Sequence, residues 1–189
     1  MECGEAHADG PGSNGNTRLF FDPETQNCVF PNTVKCVEVH STCFKARGNN
    51  PGRFPVKAGY ITDIEITRRN GSVTCNKNRE RNFSYWGCPK IAPGRLSIFI
   101  VDDEKEHIFP SQDVVLYKRS FYRLKDPSDS SGRTYYRPRS PSLMLGFGDK
   151  PKHVASPTTY TIWYGQDLFN LSAQNNRGKV CVDIEVRYR

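Results

Sequence analysis

The sequence predicts a mostly β protein: an antiparallel β-sandwich or jelly roll with a small cysteine-rich N-terminal appendage. From Tyr60 onward, apolar and polar residues alternate with period two in short runs. Turn-forming residues separate these runs, and no segment carries a long apolar stripe at helical spacing. About seven or eight short strands in about 130 residues are typical of one sandwich domain.

The chain divides into three parts by composition. Residues 1–46 combine a polar arm with a cysteine-rich segment, and residues 47–58 have the Gly, Asn and Pro content of a linker. Residues 59–189 form the predicted sandwich, in which the Asn70-Gly71 dipeptide predicts a hairpin turn and residues 125–141 a long basic loop. The runs that predict strands are YITDIEIT, RRNGSVTC, RLSIFIVDD, HIF, DVVLYKRSFYRL, SLMLGF, TTYTIWYG and KVCVDIEVRYR.

Bulk composition favours a folded chain that does not insert into a membrane. Mean hydropathy is -0.67, but the 12% aromatic content supplies enough burial to argue against wholesale disorder. No apolar run approaches the roughly 20 residues that cross a bilayer. The first residues, MECGEAHADGPG, have no signal-peptide pattern, so an extracellular chain would be expected to begin upstream of Met1.

Seven cysteines and three glycosylation sequons favour a secreted protein. The sequons begin at Asn70, Asn82 and Asn170. No CxxC pair or Cys–His spacing indicates zinc, so disulfides are the favoured interpretation. Cys75 and Cys88 flank a short connection that a local bridge can close. Cys43 precedes the first predicted strand and Cys181 lies in the last, and such strands often neighbour in jelly rolls, so we expect Cys75–Cys88 and Cys43–Cys181.

Eight residues in the cysteine-rich segment follow a spaced pattern: Leu19, Phe21, Asp22, Cys28, Phe30, Pro31, Val34 and Cys36. This pattern resembles the C-terminal half of a chitin-binding type-2 (peritrophin-A) domain. The resemblance implies a Cys3–Cys28 bridge, and it leaves Cys36 outside the three bridges. It also implies that Phe30 stacks on sugar rings, and that any chitin affinity is weak and depends on Phe30.

A second set of short motifs covers most of the remaining chain: Gly71, Val73 and Cys75, then YWGC at 85–88, IWYGQDL at 162–168 and VCVD at 180–183. These motifs resemble a secreted β-sandwich module of invertebrate extracellular and skeletal-matrix proteins. That resemblance implies a matrix setting but no particular activity.

The sequence gives little support for an enzyme. The four histidines are scattered, and no HExxH, GxSxG, P-loop or GxGxxG motif is present. The acidic run from Asp102 to Glu106 could hold a hard cation, but it lacks the ligand spacing of a metal loop, which favours a solvated turn. We therefore predict no catalytic residues, no cofactor and no metal site, and a hydrolase is the least favoured function.

Positive charge concentrates between residues 118 and 139, in a chain of formal net charge +7. Only Asp126 and Asp129 oppose it there, and aromatic residues are interleaved. Such a surface suits a polyanion, and the extracellular setting favours an acidic glycan over nucleic acid. An ordinary solubilising loop is the open alternative. The candidate polyanion-binding residues are Lys118, Arg119, Arg123, Arg133, Arg137 and Arg139.

Trp163 and Tyr164 are adjacent, so on a strand they face opposite ways. We expect one in the core and the other exposed as a carbohydrate-stacking ring. The favoured function is then a secreted, non-enzymatic matrix or carbohydrate-binding module for chitin or acidic glycans. The alternative is a structural or protein-interaction domain of a larger surface or matrix protein, with an extracellular-matrix protein as partner.

Overall fold

The computed structural model describes residues 20–22, 27–29, 36–76, 83–111, 114–171 and 173–189. Its sheets are antiparallel and helix is almost absent, which confirms the predicted fold class. The elements are β1 (Phe20–Asp22), β2 (Asn27–Val29), β3 (Cys36–Lys45), β4 (Gly52–Val56), β5 (Gly59–Thr74), β6 (Ile98–Val101), β7 (His107–Phe109), β8 (Ser142–Gly146), β9 (Lys152–Val154), β10 (Thr158–Tyr164), α1 (Gly165–Leu168), a 3₁₀ turn (Ala173–Asn175) and β11 (Arg177–Tyr188).

Two sheets enclose the core. The long sheet has the order β3-β11-β5-β8, with β9 also paired to β5, and the short sheet has the order β4-β10-β6-β7. In a separate two-stranded sheet, β1 pairs with β2, and Phe21 lies opposite Cys28. Because β3 and β4 are edge strands that contact each other, they close one side of the sandwich.

The alternation in β11 explains how the long sheet forms. Val180, Val182, Ile184 and Val186 are fully buried, whereas the residues between them face away from the core. The same core cluster includes apolar residues of β5 and of the short sheet: Ile61, Ile64, Ile66, Ile98, Ile100, Tyr160 and Ile162. Burial of these side chains is the main force that holds the two sheets together.

Two disulfides staple the sandwich, and both match the pairings expected from the sequence. Cys43–Cys181 joins residues that are directly opposite in β3 and β11, and Cys75–Cys88 joins the end of β5 to the loop that precedes β6. Cys36 is present as a thiol. The expected Cys3–Cys28 bridge lies outside the described residues and stays a prediction.

The sandwich begins earlier than the expected boundary at residue 59. Residues 36–45 form β3, which pairs along its length with β11, and residues 52–56 form β4, which pairs with β10. Two features hid these strands. The core-facing side of β3 carries the polar residues Glu38 and His40, which break the apolar alternation, and β4 is short and contains Gly52 and Pro55.

The expected hairpin at Asn70-Gly71 is absent, because β5 continues through this dipeptide. Asn70 pairs with Cys181 and Arg68 with Val182, so Arg69 is the extra residue of a β-bulge. Gly71 adopts a φ of 80°, and a Cβ there would collide with the carbonyl oxygen of Lys179. The glycine therefore serves the bulge rather than a turn.

The expected strand at residues 113–124 is also absent from the described part of that segment. Tyr117 and Phe121 exchange backbone hydrogen bonds of 2.6 and 3.0 Å across a tight turn. Lys118 and Arg119 occupy that turn with φ values of 49° and 61°. Left-handed backbone at two consecutive residues cannot continue a strand, so the segment reverses direction here.

Candidate functional site

The basic region forms a ribbon, defined here as residues 121–137, in which the chain folds back on itself. Lys125 forms an antiparallel bridge with Tyr135, the Tyr136 amide donates to the Leu124 carbonyl at 2.9 Å, and the Asp126 amide donates to the Thr134 carbonyl at 3.0 Å. Residues on paired extended segments alternate between two faces. One face of the ribbon consequently carries Arg123, Lys125, Tyr135 and Arg137, all of them exposed.

The opposite face of the ribbon anchors it to the sandwich. Leu124 and Tyr136 pack against the core cluster, and the Tyr136 hydroxyl accepts a 3.2 Å hydrogen bond from the Met144 amide of β8. Partial burial raises the pKa of Tyr136. At the start of the ribbon, Tyr122 exchanges backbone hydrogen bonds of 2.8 and 3.0 Å with Leu96, just before β6. These contacts hold the basic face outward at the β8 side of the sandwich.

The cations of this face are not neutralised. The Arg123 guanidinium lies 5.7 Å from the ring centroid of Tyr135, which is 37% exposed. Among the described residues, no carboxylate lies within ion-pair distance of the three cations of this face or of three further cations nearby in the sequence. The three on the face are Arg123, Lys125 and Arg137, and the three nearby are Lys118, Arg119 and Arg133. A ligand with anionic groups therefore meets cations that have no competing carboxylate.

The two acidic residues of the region are used inside its own loop. Asp126 accepts hydrogen bonds from the amide and hydroxyl of Ser128 at 2.9 and 2.7 Å. Asp129 accepts from Ser131 at 2.9 and 2.6 Å and from the Thr134 amide at 2.6 Å. Hydrogen bonds from Ser131 and Thr134 hold the pKa of Asp129 well below its usual range. Both carboxylates therefore accept hydrogen bonds from within the loop and stabilise its conformation.

A second cation–aromatic cluster surrounds the turn at Lys118. The Arg95 guanidinium lies 4.3 Å from the centroid of the Tyr117 ring, and the Lys118 ammonium lies 5.4 Å from it. Arg95 was missed because it lies more than twenty residues earlier in the chain. Arg139 differs from the other candidate cations, since its guanidinium donates to the Phe83 carbonyl at 3.0 and 3.2 Å.

The expectation that either Trp163 or Tyr164 is an exposed sugar platform was wrong. Trp163 is 8% exposed, and its indole nitrogen donates to the Thr161 hydroxyl at 2.9 Å. Tyr164 is fully buried, and its hydroxyl donates to the Gly87 carbonyl at 3.0 Å. Trp163 is buried because the outer face of the short sheet is covered as well as its core face. Phe99 lies opposite Trp163 in register, and it packs against Phe169 with ring centroids 5.0 Å apart. Neither ring can stack on a sugar.

The remaining predicted residues are placed as follows. Asn70 and Asn170 are exposed, as glycosylation would require, whereas Asn82 lies outside the described residues. Phe30 also lies outside them, so its carbohydrate-stacking role stays a prediction.

The acidic run before β7 is a hydrogen-bonded turn. Asp102 accepts from the amides of Glu104 and Glu106 at 3.0 and 2.8 Å. Within the described ranges, no group of three or more His, Cys, Asp or Glu side chains is arranged to hold a metal ion. The buried Asp167 of α1 accepts from the amides of Gly48 and Asn49 at 3.0 and 2.9 Å, which ties the loop after β3 to the end of β10.

The fold and the exposed ribbon define an antiparallel, disulfide-bonded β-sandwich with a basic face. No family model and no curated protein matches the chain. A solved structure does: AJLec from the sea anemone Anthopleura japonica, a lectin-like protein, is 30% identical with a TM-score of 0.61. The match covers 79% of this chain and 93% of AJLec. The chain therefore belongs to the same protein family as AJLec.

Proposed function

We propose that this protein is a secreted, non-enzymatic carbohydrate-binding protein that binds acidic polysaccharides through the ribbon. The observation that carries the proposal is the exposed face that Arg123, Lys125 and Arg137 share with Tyr135, with no described carboxylate in ion-pair range of these cations. Kinship with the lectin-like AJLec supports carbohydrate as the ligand class.

The chemistry of the ribbon suits sulfated or carboxylated sugars. Arginine guanidinium groups present paired donors that match the oxygens of sulfate and carboxylate groups. The Tyr135 ring beside them offers an apolar surface to the C–H face of a sugar and a hydroxyl to its polar edge. A row of cations on a long, exposed ribbon also fits a chain ligand better than a compact one.

Two further observations support secretion. Disulfides such as Cys43–Cys181 persist in oxidising compartments, and the exposed Asn70 and Asn170 belong to glycosylation sequons. No helix among the described residues has both the length and the apolar character that a membrane span requires.

Heparin chromatography with two charge-matched variants tests the proposal. The ribbon variant is Arg123→Gln/Lys125→Gln/Arg137→Gln. The control variant, Arg53→Gln/Lys90→Gln/Lys152→Gln, removes three exposed cations that lie outside the ribbon. At about 0.5–1 kcal/mol for each lost contact, the ribbon variant should bind heparin about 10- to 100-fold more weakly near physiological salt and elute earlier. Equal elution of the two variants would reject the ribbon as the binding face.

Chitin binding by the N-terminal segment is a second candidate. The antiparallel pairing of β1 with β2 supports this candidate, because the resemblance to chitin-binding domains requires a hairpin just before Cys28. Any such affinity should be weak and lost in Phe30→Ala, as measured by retention on chitin beads. Equal retention of this variant and the unaltered chain would contradict the proposal that Phe30 stacks on chitin.

A further inference from the structure

A pocket of about 320 Å³ opens between the edge strands β3 and β4, on the side of the sandwich away from β8 and the ribbon. Glu38 and His40 of β3 line it together with Pro55 of β4, Lys57, Pro157 and Thr159. Ligand pockets are typically about 300–1,000 Å³, so this one suits a single small ring rather than a long chain.

The charged floor of the pocket is internally balanced. The Glu38 carboxylate is 5% exposed, pairs with the Lys57 ammonium at 2.9 Å and accepts a 2.9 Å hydrogen bond from the Tyr188 hydroxyl. At the rim, the Thr158 hydroxyl donates to Asp103 at 3.0 Å, which brings a second carboxylate near the mouth. Because Lys57 offsets Glu38, the Asp103 carboxylate leaves the pocket with a net negative charge, so the electrostatics favour a neutral ligand over an anionic one.

His40 supplies an unsatisfied polar atom at the same place. Its Nε2 is buried and has no hydrogen-bond partner among the described residues, and it lies 3.8 Å from Oε2 of Glu38, too far for a direct hydrogen bond. Burial of such an atom is costly unless something pairs with it. One oxygen about 2.8 Å from each atom could bridge the gap. A hydroxyl suits this position when Nε2 carries the imidazole proton, because it then accepts from the Nε2–H and donates to the Glu38 carboxylate.

The lining also includes an apolar part. Pro55, Val56 and Pro157 present C–H surfaces beside the polar pair. A molecule that fills the pocket therefore needs hydroxyls on one edge and an apolar face on the other. We infer that the pocket binds one neutral saccharide ring, with a ring hydroxyl bridging His40 and Glu38 and its C–H face on the prolines. This inference goes beyond the ribbon function, because it concerns a different surface and an uncharged ligand.

The imidazole NMR signals of the four histidines provide a direct test, with the His40 signal assigned by its loss in His40→Phe. The probes are glucose, galactose, mannose, N-acetylglucosamine and glucuronate at about 50 mM, since a ligand with few contacts binds in the millimolar range. At least one neutral sugar should shift the His40 signal saturably while those of His107 and His153 stay fixed. No shift with any neutral sugar, or a stronger response to glucuronate, would overturn the inference.

Two variants distinguish sugar binding in the pocket from heparin binding by the ribbon. Thr159 is half-buried in the pocket lining, so the larger side chain of Thr159→Tyr should fill the mouth of the pocket. The sugar-induced shift of the His40 signal should then disappear while the other histidine signals stay native. A persisting shift would show that the sugar binds elsewhere and would overturn the inference. The ribbon variant should give the unaltered His40 shift, whether or not its heparin binding falls, because no ribbon residue lines the pocket.

Discussion

Arg187 on the long sheet and the arginines of the ribbon have different surroundings. Arg187 lies on the outer face of β11, where its guanidinium bonds to Asp63 at 2.7 Å, to Glu65 at 2.5 Å and to Glu185 at 3.0 Å. Hydrogen bonds to Asp63 and Glu65 raise its pKa further. Arg123 and Arg137, in contrast, have no carboxylate within ion-pair distance among the described residues.

This difference separates a structural cation from a binding cation. The charge of Arg187 is already satisfied by three neighbouring carboxylates, so it contributes to stability and is not available to a ligand. The ribbon cations face solvent, where their removal costs the fold little. Changes at the two places should therefore have opposite consequences: loss of stability without loss of binding at Arg187, and the reverse on the ribbon.

The largest effect on stability is expected for Arg187→Met. It removes the shared partner of three half-buried carboxylates, which then repel one another, at a cost of about 2–3 kcal/mol in the free energy of unfolding. Urea denaturation measures this loss. The salt concentration that elutes the variant from heparin should fall by no more than the removal of one exposed charge would cause. Arg53→Met is the matched control on an exposed strand position and should change stability by less than about 0.5 kcal/mol. Equal stability of both variants would contradict the assignment of Arg187 to the scaffold.

A smaller effect is expected from the aromatic partner on the ribbon. An exposed cation–π contact contributes about 0.5–1 kcal/mol, so Tyr135→Ala should weaken heparin binding about two- to fivefold with unchanged stability. Tyr135→Phe keeps the ring under Arg123 and should bind nearly as well as the unaltered chain. If Phe loses as much affinity as Ala, the hydroxyl rather than the ring makes the contact. Titration with a fluorescent heparin oligosaccharide distinguishes the two.

The apolar runs and alternating segments of the sequence predicted several strands, among them β6, β8, β10 and β11. It failed where a local rule was overridden by the fold. The polar core-facing residues Glu38 and His40 concealed β3, because they line the pocket instead of filling the core. Asn70-Gly71 has hairpin chemistry, but the long β11 holds β5 straight through it and leaves a bulge.

The candidate site was predictable in its charge but not in its geometry. The cluster of cations between 118 and 139 is visible in the sequence, as are the two opposing aspartates. Which cations share a face depends on the Lys125–Tyr135 bridge, and the contribution of Arg95 depends on contacts between distant segments. A core position for one of Trp163 and Tyr164 was predictable, and Tyr164 occupies it, but the burial of Trp163 was not, since it depends on how the outer face of the short sheet is covered, where its register partner Phe99 packs against Phe169.

The salt dependence of heparin binding tests the central claim most directly, namely that the ribbon and not the overall positive charge binds acidic polysaccharide. Binding of a cationic surface to a polyanion releases counterions, and the slope of log affinity against log salt counts the contacts made. For the ribbon variant, the account predicts a slope reduced by about two to three units relative to the unaltered chain, since each lost contact contributes about 0.7–0.9. The control variant, which loses the same number of charges, should keep the original slope. Equal slopes for the two variants would contradict the account.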